Sequence, residues 1–257
     1  MRTDWKKRFE ETFSSLVYDN TEFSNSSLKP NQMFVVWLDI MGSKNMMTNS
    51  LMTAACYIGQ LHSVIKKIYN SMKNQEITVH SMTDGAYVVC EHFETIRDFS
   101  IAVMRTCVCR FMSKKIGFTR YFVRCAIAYG KVIMPSSMIH GMPDTESDPQ
   151  YDSNIMLGVP FVKAYMAEHN APPFGIYLDE SIRTHYISDD ESKRISWVLH
   201  RWWNPDNKEQ KKLARDCGEE ILKQLKWEKR NPISSFYPVE KHDKYVSIVR
   251  EYFDLKK

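Results

Sequence analysis

FVVWLDIMGS, residues 34–43, is an apolar run carrying one carboxylate, Asp39, and closed by a Met-Gly-Ser turn. From Met33 to Met41 the run is rich in branched and aromatic residues and too short for a helix, so it reads as a buried strand. Between Asn45 and Met72 the apolar positions Met47, Leu51, Ala55, Ile58, Leu61, Ile65, Ile68 and Met72 step by three and four, which predicts one long amphipathic helix. EITVHSM and GAYVVCE follow as two strand-like segments around Thr83 and Asp84, and Gly85 supplies the freedom for a tight hairpin. A second helix is predicted from about Thr95 to Lys115, with Ile96, Phe99, Val103, Cys107 and Phe111 on one face. YFVRCAIAYGKVIM, residues 121–134, reads as a strand that can bend at Gly130.

Strand, helix, strand, strand, helix, strand is the order of a ferredoxin-like βαββαβ core. The expected class is therefore α+β: a palm-type antiparallel sheet with helices on one face, extended by C-terminal strands and helices. Residues 1–32 are expected to form an N-terminal helix, with Trp5, Phe9, Phe13 and Leu16 on one side, and a polar linker. Residues 33–195 form the core and 196–257 a C-terminal helical extension packed on it. Within the core, PSSMIHGMPDTESDPQYDSN reads as a polar loop or hairpin arm, VPFVKAYMAEHNA as a short helix and FGIYLDESI as a further strand. Trp197, Trp202 and Trp203 cluster before two helices, NKEQKKLARDCGEEILKQLKWEKR and VEKHDKYVSIVREYFDL, and are expected to pack those helices over the sheet.

The chain has 257 residues, 43% apolar and 26% charged, with a formal net charge of +4, which gives no electrostatic footprint for nucleic acid. No stretch approaches the length of a membrane span, and the first residues lack the apolar core of a signal peptide, so neither nucleic acid nor membrane is an expected partner. The six cysteines form no CxxC pair and read as reduced core residues, which fits the cytoplasm.

Strands one and three of such a sheet lie side by side. Asp39 ends the first and Asp84 leads into the third, so the two carboxylates should meet at one edge of the sheet. Neighbouring carboxylates repel unless a cation sits between them. Two divalent ions held this way can activate an attacking oxygen and neutralise a triphosphate. The turn through Gly42, Ser43 and Lys44 offers backbone amides as an anion seat. Each residue also has a plainer reading. Asp39 can cap the next helix, Asp84-Gly85 can be a simple hairpin turn, His80 a satisfied strand histidine, Lys44 and Lys163 solvated charges, and Arg124 a structural ion pair.

The motifs resemble a known family. LDIMGSK, residues 38–44, looks like the first metal motif of class III nucleotidyl cyclases, usually Asp-Ile/Phe-x-Gly-Phe-Thr, and SMTDGAYVV looks like the second, usually Ile-Gly-Asp-x-x-Met/Val-Ala. VRCAIAYGKVI resembles the family's Arg-x-Gly-Ile-x-x-Gly-x-Val strand. LGVPFVKAYMAEHNAPPFGIYLDESI resembles Gly-x-x-Val-Asn-x-Ala-x-Arg-Leu and the strand after that helix. The four segments follow in order over residues 33–183, and the resemblance makes residues 33–195 a nucleotidyl cyclase catalytic core.

The resemblance implies a head-to-tail homodimer with active sites at its interface. It also implies attack of a ribose 3′-hydroxyl on the α-phosphate of a nucleoside triphosphate, giving a cyclic nucleotide and pyrophosphate. Asp39, Asp84 and the backbone carbonyl of Ile40 would bind two Mg²⁺ or Mn²⁺ ions. The family's transition-state Asn and Arg fall on Val162 and Met166, leaving Lys163 as the nearest cation. The two purine-reading positions fall on His80 and Ile155, which match neither the adenylate nor the guanylate code. A short cyclase with such positions looks most like the pyrimidine cyclases of bacterial antiphage systems, whose cyclic UMP or cyclic CMP triggers a separate effector. UTP stands slightly ahead of CTP. The alternatives are a cyclase-like pseudoenzyme that binds a nucleotide or partner without turnover, and a purine cyclase. A diguanylate cyclase or polymerase ranks last, since MTDGAY lacks the diguanylate signature.

Overall fold

The computed structural model describes residues 29–117, 119–135, 155–183, 195–196, 198–231 and 241–255. The predicted N-terminal helix and most of the polar arm lie outside them. The chain divides into two compact units, one holding Met1–Asn31 and Val132–Leu157, the other Gln32–Lys131 and Gly158–Lys257. Few residues of the first are described. The second carries the sheet, its helices and both aspartates.

The elements are β1 (Asn31–Ile40), α1 (Ser43–Asn49), α2 (Leu51–Ser71), β2 (Thr78–Ser81), β3 (Gly85–Cys90), α3 (Phe93–Met112), β4 (Val123–Ile133), β5 (Leu157–Gly158), α4 (Val159–Ala167), β6 (Ile176–Leu178), α5 (Glu180–Arg183), β7 (Ile195–Ser196), β8 (Leu199–His200), α6 (Lys208–Arg230) and α7 (His242–Tyr252). A short 3₁₀ turn, Glu168–Asn170, continues α4. The sheet runs β2-β3-β1-β4-β6-β8-β7. Its first four strands are the split βαββαβ arrangement expected from the order of elements. β1 lies antiparallel to β3, with Trp37 opposite Tyr87 and Asp39 opposite Gly85.

The alternation of β1 decides what each face does. Phe34, Val36, Leu38 and Ile40 enter the main core with Tyr57, Leu61, Val64 and Ile65 of α2 and Ile96, Phe99, Val103 and Cys107 of α3. Val35 and Trp37, on the other face, are buried as well. Trp37 meets Tyr87 at 4.5 Å between ring centroids and Tyr165 at 5.6 Å. A side chain buried this way contributes about 1.5–3 kcal/mol, so a strand apolar on both sides is driven to the middle of the sheet and carries Asp39 in with it.

The single helix expected over Asn45–Met72 is two helices. Ser50 adopts an extended conformation (φ −159, ψ 99) between them, and its hydroxyl accepts from the Thr53 amide as the cap of α2. The break resets the helical phase. Ala54, Tyr57, Leu61, Val64 and Ile65 face the core, whereas Leu51 and Ala55, expected on the buried face, are exposed. The cysteine expectation also needs correction: Cys90, Cys107, Cys125 and Cys217 are buried, but Cys56 and Cys109 are exposed on helices.

Of the three tryptophans expected to pack the C-terminal helices, Trp197 lies outside the described residues. Trp202 and Trp203 are buried, and Trp203 stacks on Phe253 at 5.3 Å. The Tyr252 hydroxyl donates to the His200 carbonyl at 2.7 Å, which ties the end of α7 to β8. Arg105 of α3 donates through Nε to the Trp202 carbonyl at 2.7 Å.

Candidate active site

Asp39 is a charged residue at the end of a strand that is otherwise apolar, and only 8% of it is exposed. Its strand partner is Gly85, so the preceding residue, Asp84, is held in the adjoining hairpin turn. The close approach of these strands depends on that glycine. A Cβ at position 85 would lie 2.2 Å from the Leu38 carbonyl oxygen and 2.8 Å from the Trp37 ring. Burial, then the nearby Glu168 carboxylate, and more weakly Asp84 push the Asp39 carboxyl up to about 8 against the pull of Arg124. Burial is the largest of these causes, and Arg124 offsets them only in part.

The turn after β1 serves Asp84 directly. Gly42 has φ 77, a left-handed conformation that glycine adopts without steric cost, and it turns the chain so that α1 begins at Ser43. Ser43 is buried, and its hydroxyl donates to Asp84 Oδ2 at 2.6 Å. Thr83 donates to Asp84 Oδ1 at 3.1 Å. The expected anion seat is thus partly engaged, because the Ser43 side chain serves Asp84 and the Met41 amide donates to the Phe122 carbonyl at 3.0 Å. α1 has seven residues, too few for much macrodipole, and its first amides are what remains for an anion. Lys44 is exposed at its start.

Arg124 reaches the same place from β4. Its Nη2 lies 3.5 Å from Asp39 Oδ2 and donates to Glu168 Oε1 at 2.9 Å, while its Nε contacts Glu168 Oε2. Glu168, just after α4, is buried, and burial pushes its carboxyl up to about 6 even with Arg124 beside it. Glu168 was missed in the sequence. The signal was there: an arginine within the apolar strand 121–134 needs a buried counterion, and Glu168 is the one acidic residue of VPFVKAYMAEHNA.

The other candidates spread out. His80, on β2, is buried and paired with Tyr87, which lies opposite Trp37. These three residues form a row on the sheet face that also carries Asp39. Lys163 is 44% exposed, and its Nζ lies 3.7 Å from Asp179 Oδ1. Val162 and Met166 are 57% and 61% exposed. Ile155 belongs to the other unit. Ile40 is buried next to Asp39.

Among the described residues no group of three or more His, Cys, Asp or Glu side chains is arranged to hold a metal ion. The donor set at Asp39 and Asp84 nevertheless fits Mg²⁺ or Mn²⁺ in kind. Carboxylate oxygens and a backbone carbonyl are the hard ligands these ions take, with remaining positions filled by water or substrate phosphates. The raised Asp39 carboxyl fits too: burial first, and then the Glu168 and Asp84 carboxylates, disfavour its ionised form, and a dication would favour it.

The chain matches no family model and no curated protein. It is similar in structure to the dimeric guanylyl cyclase domain of the RhoGC fusion protein from Blastocladiella emersonii, at 16% identity and a TM-score of 0.44, covering 62% of this chain and 88% of that one. It is also similar to the adenylyl cyclase CyaB from P. aeruginosa, at 12% identity and a TM-score of 0.43, covering 61% and 83%. A third similar structure is an adenylate/guanylate cyclase/hydrolase from Silicibacter pomeroyi, at 14% identity and a TM-score of 0.44, covering 70% and 99%. No helix among the described residues is long and apolar enough to cross a membrane.

Proposed function

We propose that this protein is a metal-dependent nucleotide cyclase that converts a pyrimidine nucleoside triphosphate, UTP ahead of CTP, to the 3′,5′-cyclic monophosphate and pyrophosphate. The observation that carries the reading is the buried Asp39 placed in register with the hairpin that bears Asp84, at one edge of a palm-type sheet. Asp39, Asp84 and the Ile40 carbonyl would hold two divalent cations, Mg²⁺ or Mn²⁺. Those ions would neutralise the triphosphate and lower the pKa of the ribose 3′-hydroxyl. The Ser43 hydroxyl fixes the rotamer of Asp84. The backbone amides at Gly42, Ser43 and Lys44 would donate to phosphate oxygens.

The base assignment rests on His80 and Ile155, which carry neither purine code. Lys163 is the cation on α4 available for the developing charge, and as a half-exposed lysine in a long contact with Asp179 it can leave that partner at small cost. Val159, Val162, Tyr165 and Met166 form an exposed apolar face of α4 that supports a head-to-tail homodimer with Lys163 acting in the partner's site. The product would act in the cytoplasm as a second messenger of antiphage defence, through a separate cyclic-nucleotide-responsive effector.

Incubation with each of the four ribonucleoside triphosphates and Mn²⁺, followed by mass spectrometry, tests the reading. Cyclic UMP or cyclic CMP with equimolar pyrophosphate is expected. A cyclic purine product refutes the base assignment and keeps the cyclase. No cyclic product from any triphosphate refutes the enzyme. A second reading, a pseudoenzyme, is favoured by Val162 and Met166, exposed apolar residues where the resemblance calls for Asn and Arg. It predicts nucleotide binding without pyrophosphate release.

A further inference from the structure

The guanidinium of Arg124 lies between two carboxylates and does not treat them alike. Toward Glu168 it presents two nitrogens, Nη2 donating to Oε1 at 2.9 Å and Nε in ion-pair contact with Oε2, so that one edge of the guanidinium is turned to this carboxylate. Toward Asp39 it presents a single nitrogen at 3.5 Å. The side chains of Arg124 and Glu168 are each 11% exposed, so neither charge is held mainly by water. An arginine with no other buried carboxylate within reach would close onto Asp39 and make the two-point pair there. That pair would occupy the oxygens a cation needs and place a positive charge against it.

We propose that Glu168 is a positioning residue for the carboxylate pair. By gripping Arg124 along its Nε–Nη2 edge it keeps the guanidinium from closing onto Asp39, so that Asp39 stays available to a divalent cation. Glu168 also neutralises Arg124, and with Asp39 ionised the cluster of Asp39, Asp84, Glu168 and Arg124 carries two negative charges in excess, which suits a dication. This inference rests on the metal reading of Asp39 and Asp84 given above, and deepens it by assigning work to a residue outside the two metal motifs.

The test measures Mn²⁺ binding by electron paramagnetic resonance and calorimetry, without nucleotide, in the wild type, Glu168→Gln, the double variant Glu168→Gln/Arg124→Met, and Asp39→Asn. Glu168→Gln keeps the shape but frees Arg124, and Mn²⁺ affinity should fall by about tenfold or more, because an added positive charge then competes for Asp39. Removing Arg124 as well should bring the affinity back to within about threefold of wild type, since nothing then competes. Thermal unfolding of each variant accompanies the titration, so that loss of fold is scored separately. Three results overturn the proposal. Unchanged Mn²⁺ affinity in Glu168→Gln, with or without a lower Tm, leaves Glu168 only structural. Equal losses in the single and double variants make it a ligand or a packing residue and not a positioner. If the wild type binds Mn²⁺ no better than Asp39→Asn, the metal reading fails, and the proposal with it.

Discussion

Asp39→Asn should make the metal-free protein more stable at alkaline pH while abolishing product. The Asp39 carboxyl is pushed from 3.8 to about 8 by burial and by the Glu168 and Asp84 carboxylates. An acid raised in the folded state contributes stability that is fully present below its unfolded pKa and is lost as pH rises through the folded value. The loss here runs from about pH 4 to about pH 8. At about 1.4 kcal/mol per pH unit the ceiling is roughly 6 kcal/mol. Asparagine removes the charge but also gives up the attraction of Arg124 at 3.5 Å, so the expected net gain above pH 8 is about 1–3 kcal/mol, or a rise in Tm of roughly 3–8 °C for a chain of this size. The assay is thermal unfolding in EDTA at pH 8.5 and pH 5. The gap between variant and wild type should be widest at pH 8.5, narrower at pH 5, and close near pH 4. Adding Mn²⁺ should raise the Tm of the wild type alone. A variant less stable than wild type at pH 8.5, or a gap that does not change with pH, would refute the reasoning.

Gly85→Ala should destabilise the protein by about 2–4 kcal/mol, because the new methyl meets the Leu38 carbonyl and the Trp37 ring at a central strand pair. Urea unfolding measures it, and a near-neutral result would mean that β1 and β3 are not packed as described. Lys163→Met should lower kcat at least about tenfold while leaving Tm and Mn²⁺ affinity nearly unchanged, because its contact with Asp179 is partly exposed. Unaltered kcat would leave that surface pair as the whole of its role.

Much of the fold was legible because it depends on local pattern. The apolar run of β1, the Asp-Gly hairpin and the three-and-four spacing of α2 and α3 each report burial through their own periodicity, and together they imply the β2-β3-β1-β4 order. Ser50 escaped notice because an apolar residue on either side, Met47 and Leu51, kept the spacing intact across the break. Only the backbone shows that the helix stops and restarts there. The exposed Cys56 and Cys109 were misplaced for a similar reason: apolar surroundings in sequence do not say which way a helical residue points.

The candidate site divides the same way. Asp39 and Asp84 could be placed near one another from sequence alone, because the pairing of two strands in a split βαββαβ sheet puts the end of the first beside the start of the third. What the tertiary structure decided is everything that comes from farther along the chain. Glu168 reaches Arg124 across 44 residues, and Ser43 reaches Asp84 across 41. Such contacts carry no periodic signal, because they depend on where a helix end settles over a sheet. The sequence by itself determined that a carboxylate would be drawn into a buried strand; the surroundings that set its charge were decided by packing.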